Sequence, residues 1–212
     1  MHCTGRGDVK FTVTANVPDG YPYELSRTSD LVLVHQHKVC PIPELLTHNP
    51  VDLAQGWNLI SLPLIPEDPA IEVVLDGIDF QKVAAYSPFQ DWMNYNPPPV
   101  PSDLTQMNDG WGYWIDMGTA TATLINNGYQ LVGPPPAVPP YYDVVVGWNL
   151  IGFKSPIPRS PGDYLAGING RYVVIYGFAN GVYFLVGSPG NESLQPGLGY
   201  WIAVTAPGTI YP

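Results

Sequence analysis

The sequence predicts a mainly β protein: an N-terminal strand segment followed by two tandem small β-rich units, each with one short helix. Two observations predict it. The phrase GWNLI occurs at residues 56–60 and again at 147–151, and each copy is followed by GYWI, at 112–115 and at 199–202. Two anchors in the same order at similar intervals mark an internal duplication. The second observation is composition. Only 12% of the 212 residues are charged, about half the usual share, against 25 Pro, 22 Gly, 14 Tyr and 6 Trp. Aromatic-rich runs punctuated by Pro and Gly form short strands joined by turns. The expected organisation is a β segment over 1–50, repeat one over 51–133, a stiff polyproline linker over 134–140 and repeat two over 141–212.

Each element has a local reason. Val9 to Val17 alternates apolar and polar residues, and Leu31 to Val39 reads as its companion strand, with turn chemistry at Asp19-Gly20 and Tyr21-Pro22 between them. In repeat one, Trp57 to Leu62 is a buried strand closed by Pro63. Ala70 to Ile78 spaces its apolar residues as a helix does, with Gly77 near its end. Val83 to Tyr86 and Trp92 to Tyr95 make a hairpin, and a Pro-rich loop leads to strands at Gly112 to Met117 and Thr121 to Ile125. Asn126-Asn127-Gly128 reads as a turn. Repeat two runs in the same order. Trp148 to Phe153 is a strand, Pro161 to Ile168 the short helix, and Tyr172 to Tyr176 with Val182 to Val186 a hairpin about Ala179-Asn180-Gly181; Gly199 to Val204 follows. Aligned on GYWI, Pro212 falls opposite Ile125, so the last strand of repeat two is expected to be incomplete or to pair elsewhere.

The charge is −10 and unevenly spread: residues 51–130 hold 10 acidic and 1 basic side chains, residues 141–212 hold 3 of each. Few Lys and Arg speak against nucleic acid or an anionic membrane as partner. No run is long enough to span a membrane, and no basic, apolar leader opens the numbering. Cys3 and Cys40 are expected to form one disulfide in an oxidising compartment; buried thiols, or a metal shared with His2, His35 and His37, are the alternatives. No cofactor and no metal are expected. A calcium site at Glu67, Asp68 and Asp109 would lack the spaced acidic loop such ions favour. Arg6-Gly7-Asp8 and the glycosylation pattern Asn191-Glu192-Ser193 are short enough to arise by chance.

The duplication itself weighs against an enzyme. Asp116 aligns with Ala203 and Asp76 with Ala166, and all four histidines precede residue 49. What recurs is Trp57 with Trp148, Asn58 with Asn149 and Trp114 with Trp201, a set that reads as the core of each repeat. Tyr113 and Trp114, like Tyr200 and Trp201, are strand neighbours and so point to opposite faces. Repeated aromatics are core or interface anchors, or platforms for sugars if exposed. The two asparagines are expected to satisfy backbone groups at a turn or strand edge.

GWNLISLP at 56–63 with GYWI at 112–115, and the second copy at 147–153 with 199–202, resembles a repeat common in large secreted and cell-surface proteins of bacteria and archaea. There it accompanies adhesive, S-layer-like and Pro/Thr-rich segments, and it carries no catalytic residues. The second copy departs in having Gly152-Phe153 for Ser61-Leu62. The resemblance implies a secreted or cell-surface, non-enzymatic structural protein, a subunit of a surface layer, fibre or pilus-like assembly. A homo-oligomer or polymer formed by strand addition is expected, with Val9, Phe11 and Val13 on the assembly strand. The alternative is a carbohydrate-binding or adhesive module that meets a surface glycan through exposed aromatics.

Overall fold

A computed structural model describes residues 45–47, 50–130 and 139–212. The expected strands over 9–17 and 31–39, both cysteines, all four histidines and most of the polyproline run lie outside the described residues. Residues Pro43–Pro212 form one compact unit. Its elements are β1 (Leu45–Thr47), β2 (Val51–Leu53), β3 (Trp57–Ser61), β4 (Ile65–Pro66), α1 (Ile71–Val74), β5 (Lys82–Ser87), β6 (Asp91–Tyr95), β7 (Gly112–Asp116), β8 (Ala122–Leu124) and β9 (Asn127–Tyr129). Repeat two supplies β10 (Tyr142–Val144), β11 (Gly147–Gly152), α2 (Pro161–Tyr164), a 3₁₀ turn (Ala166–Ile168), β12 (Tyr172–Ala179), β13 (Val182–Leu185), β14 (Gly199–Val204) and β15 (Gly208–Ile210). Among the described residues no helix is long and apolar enough to cross a membrane.

The duplication extends to the topology of the main sheet and its ribbon. Repeat one is an antiparallel sheet of order β3-β7-β5-β6 with a ribbon β2-β8; repeat two is β11-β14-β12-β13 with a ribbon β10-β15. One face of each sheet carries that repeat's own core. In repeat one Ile60, Val83, Ala85, Tyr113 and Ile115 pack under Ile71 and Leu75. In repeat two Ile151, Ile175, Tyr200 and Ile202 pack under Tyr164 and Leu165.

Local chemistry sets the element ends. Ser160 caps α2 by accepting from the Asp163 N–H at 3.1 Å, and Pro161 occupies the first helical position, where its missing N–H costs nothing. The helix expected over 70–78 is only Ile71–Val74, because the bonds then tighten to i+3 (Ile78 N–H to Leu75 O, 3.0 Å) and Gly77 turns left-handed at φ 73°. Asn180 (φ 53°) and Gly181 (φ 78°) form the two-residue turn between β12 and β13.

Two expectations are corrected. The closing strand of repeat two is present: β15 pairs with β10 as β8 pairs with β2. What repeat one has in addition is β9, which lies between β1 and β4. Asn126-Asn127-Gly128 accordingly opens a strand rather than making a turn. Gly128 is needed because a Cβ there would lie 1.9 Å from the Ile65 carbonyl oxygen, and buried Asn126 accepts from the Leu64 N–H at 2.9 Å. The composition of a turn here serves a close approach.

The second face of each sheet is turned towards the other repeat. Bridges Ile60↔Leu198 and Trp111↔Ile151 are equivalents, as are the bonds Ser61 N–H to Gly197 O (2.9 Å) and Gly152 N–H to Gly110 O (2.8 Å). The repeats are thus related by an approximate two-fold. The leading glycine of each GYWI lies at this approach: a Cβ on Gly112 would meet the Leu150 side chain at 2.8 Å, and one on Gly199 the Ile60 carbonyl oxygen at 2.6 Å. Ser61 and Gly152, where the copies differ, hold equivalent places. The Ser61 hydroxyl donates to Leu198 O at 2.7 Å and accepts from the Phe153 N–H at 3.1 Å, whereas a Cβ on Gly152 would strike Trp111 O at 2.5 Å.

The asparagines have one job in both copies. Asn58 accepts from Ala54 N–H (3.0 Å) and donates to Ala54 O (2.8 Å) and Gly56 O (3.0 Å). Asn149 repeats this with Val145 (3.1 and 2.8 Å) and Gly147 O (3.1 Å). Each ties the ribbon to its sheet across a left-handed glycine, Gly56 at φ 74° and Gly147 at φ 104°.

Two predictions follow from these contacts. Asn149→Ala leaves three backbone groups without their partner and is expected to cost about 2 kcal/mol in urea unfolding. Gly152→Ala is expected to cost more than Ser61→Ala, roughly 3 against 1.5 kcal/mol, since it forces backbones apart where Ser61→Ala only removes hydrogen bonds. The ranking of melting temperatures checks this.

Candidate functional site

Strand alternation puts a matched aromatic set between the sheets. Trp114 meets Phe178 (centroids 4.8 Å apart) and Tyr183 (6.2 Å) from repeat two. Trp201 meets their equivalents in repeat one, Tyr86 (5.5 Å) and Trp92 (6.0 Å). Each of these tryptophans also has an edge-on partner on its own sheet, Trp57 at 6.2 Å and Trp148 at 6.4 Å. Such tilted and edge-on pairs are the favoured geometry for aromatic rings.

The recurrent tryptophans are therefore not in the cores of the single repeats. Tyr113 and Tyr200 are, fully buried, each hydroxyl accepting a backbone N–H from Asn108 (2.6 Å) or Gln195 (2.7 Å). Burial holds both phenols well above the ordinary tyrosine range. Trp114 and Trp201 lie half-buried in the layer between repeats, while Trp57 and Trp148 sit at its rim, 44% and 48% exposed. The physical reason is parity: positions 57, 59 and 61 point away from the core that 60 helps to form.

The two-fold breaks at one row. By strand register Ala84 lies opposite Trp114 and Tyr176 opposite Trp201, so a buried alanine in repeat one corresponds to a 37%-exposed tyrosine in repeat two. Tyr176 stands 6.2 Å from Trp148. Together with Tyr86, Tyr183 and Trp201 they line an open cleft of about 520 Å³. Its walls contain no carboxylate, amide or cationic side chain. None of the five rings makes a side-chain hydrogen bond to another described residue, and together they carry two indole N–H groups and three hydroxyls. Tyr86, Tyr176 and Tyr183 are absent from the shared phrases; only the mismatch of Tyr176 with Ala84 would have singled out one of them.

A second cluster joins the repeats. The Tyr142 hydroxyl donates to Asp109, and the ring fills the space where a Cβ on Gly110 would stand. At the equivalent place Val51 covers Gly197, so this contact is apolar in one copy and polar in the other. Burial raises the Asp109 carboxyl, against the Tyr142 bond and Lys154, which lower it. Lys154, itself buried, donates to Gln130 O and is pushed below the usual lysine range by burial, against the pull of Asp109. Asp109, Gln130, Tyr142 and Lys154 lie 12 to 45 positions apart in the chain, and no local pattern connects them. Glu67 and Asp68 border a different cleft, with Pro66, Val73 and Asn126. Among the described residues no group of three metal-ligating side chains occurs.

The Tyr142 hydroxyl favours the ionised form of Asp109. Tyr142→Phe raises that carboxyl further, and an acid raised on folding destabilises only above its unfolded titration range. The variant is expected to lose about 2 kcal/mol near pH 7 and progressively less as pH falls through the carboxylate range. Urea midpoints measured across pH check the slope.

Comparison with protein families, with characterised proteins and with solved structures finds no match to this chain.

Proposed function

We propose that this chain is a non-enzymatic structural subunit of an extracellular surface layer, fibre or pilus-like assembly, joined to its neighbours by strand addition. The supporting observation is an unequal pair of edges. β6, the outer strand of sheet one, is covered by its own loop: Asp103 N–H reaches Asn94 O at 3.0 Å and Asn96 N–H reaches the Ser102 hydroxyl at 2.9 Å. β13, its counterpart, pairs with β12 alone. The Leu185 C=O accepts from the Ser188 hydroxyl at 2.6 Å, but the outward N–H and C=O of Tyr183 meet no described partner, whereas the matching Trp92 N–H of β6 is taken by the Asp91 carboxylate at 3.0 Å. Its side chains carry no charge, and Val182, Tyr183 and Leu185 are exposed. Unprotected apolar edges accept further strands. The alternating residues Val9, Phe11 and Val13 of a neighbouring copy are the incoming strand in this proposal.

Carbohydrate binding is the second reading, favoured by the exposed rings of the cleft. It is the weaker one, because a sugar's many hydroxyl donors need acceptors, and the cleft walls hold no carboxylate or amide.

Native protein is expected to form particles much larger than a monomer by electron microscopy. Leu185→Lys, which charges the exposed edge, should leave the circular dichroism unchanged and reduce assembly by roughly tenfold or more. Deleting residues 1–18 should have the same effect. A wild-type chain that stays monomeric at high concentration, or variants that assemble normally, would sink the proposal.

A further inference from the structure

We infer that the aromatic cleft is a docking groove for an uncharged proline-rich segment of a second copy, bound in the polyproline II conformation. The cleft and the ligand match in hydrogen-bonding sense. Tyr86, Trp148, Tyr176, Tyr183 and Trp201 present rings together with indole and phenol donors that no described residue occupies. Prolines have carbonyl acceptors and no N–H, so a proline run asks only for donors along its backbone and flat apolar surface for its rings. The polyproline II helix leaves its carbonyls unbonded and is already ordered, which lowers the entropy lost on binding. Aromatic grooves of Trp and Tyr recognise such segments in this way.

Charge points the same way. Four of the five rings of the groove belong to repeat two, where acids and bases balance at 3 each, and its walls hold neither. A charged peptide would find no counter-ion there and would lose hydration on entry. The chain itself carries a ligand of the required kind. Residues 133–140 read GPPPAVPP, eight residues with five prolines and no charge, and most of them lie outside the described residues. Polyproline II rises about 3.1 Å per residue, so eight residues span about 25 Å. The inference extends the assembly reading by naming a second contact between copies, and it does not depend on β13 pairing.

The duplication supplies the control. Trp57, Ala84, Trp92, Trp114 and Phe178 occupy the places equivalent to Trp148, Tyr176, Tyr183, Trp201 and Tyr86, but Ala84 removes one wall. Groove binding should therefore belong to the repeat-two side alone.

The test is titration of the synthetic peptide GPPPAVPP into full-length protein, followed by tryptophan fluorescence and by calorimetry. Saturable binding is expected. Trp148→Ala and Tyr176→Ala, both at exposed positions, should each weaken it roughly tenfold or more, while Trp57→Ala changes it less than about twofold. A scrambled peptide with serine for proline should not bind. Absence of saturable binding, an equal loss in Trp57→Ala, or a neutral hexasaccharide that binds in place of the peptide and is lost in Trp148→Ala would each overturn the inference. Deleting residues 1–18 separates the two proposals: it should abolish strand addition and leave peptide binding intact.

Discussion

The close approach of two backbones across the approximate two-fold governs this structure. At Ser61 with Gly197 and at Gly152 with Gly110, strand ends of one repeat bond directly to the loop before GYWI in the other. Backbone groups meet only where no Cβ intervenes, which accounts for Gly112 and Gly199 at the head of both GYWI copies and for Gly152. Ser61 completes the arrangement by placing one hydroxyl where both partners of the contact can use it. The repeats are thereby held as halves of one body, each sheet burying one face in its own core and part of the other against its twin.

Because both faces are used, the shared phrase has two kinds of residue in it. Ile60 and Ile151, with Tyr113 and Tyr200, serve the separate cores. Leu59 and Leu150 are equally buried on the opposite face, and the four tryptophans extend that layer to the rim. The asparagines serve neither layer. They satisfy the backbone where the ribbon crosses into the sheet, a requirement each copy must meet for itself.

Individual character arises where the two-fold is broken. Tyr176 in place of Ala84 opens a cleft, Tyr142 in place of Val51 brings in a carboxylate, and over β13 Ser188 alone stands where the 102–104 loop shields β6. Each departure lies at a position that the matching residues leave free to vary. A duplicated fold keeps its shared positions for stability and can vary the others for recognition.

The sequence alone determined the duplication, the β class, the bounds of Gly199–Val204 and the turn at Asn180-Gly181, since alternation, turn residues and internal repetition are local signals. It also showed that Tyr113 and Trp114 face opposite ways. Which of those faces meets solvent was decided by tertiary structure: the recurrent tryptophans became an interface between repeats because a second sheet lies over them. The same cause turned Asn126-Gly128 from an apparent turn into a strand, the glycine answering to Ile65 more than sixty residues earlier. The cleft of five rings and the Asp109, Tyr142 and Lys154 cluster were likewise invisible in the chain. Their members come together only when two repeats close on one another, and no short-range pattern encodes a contact made across that two-fold.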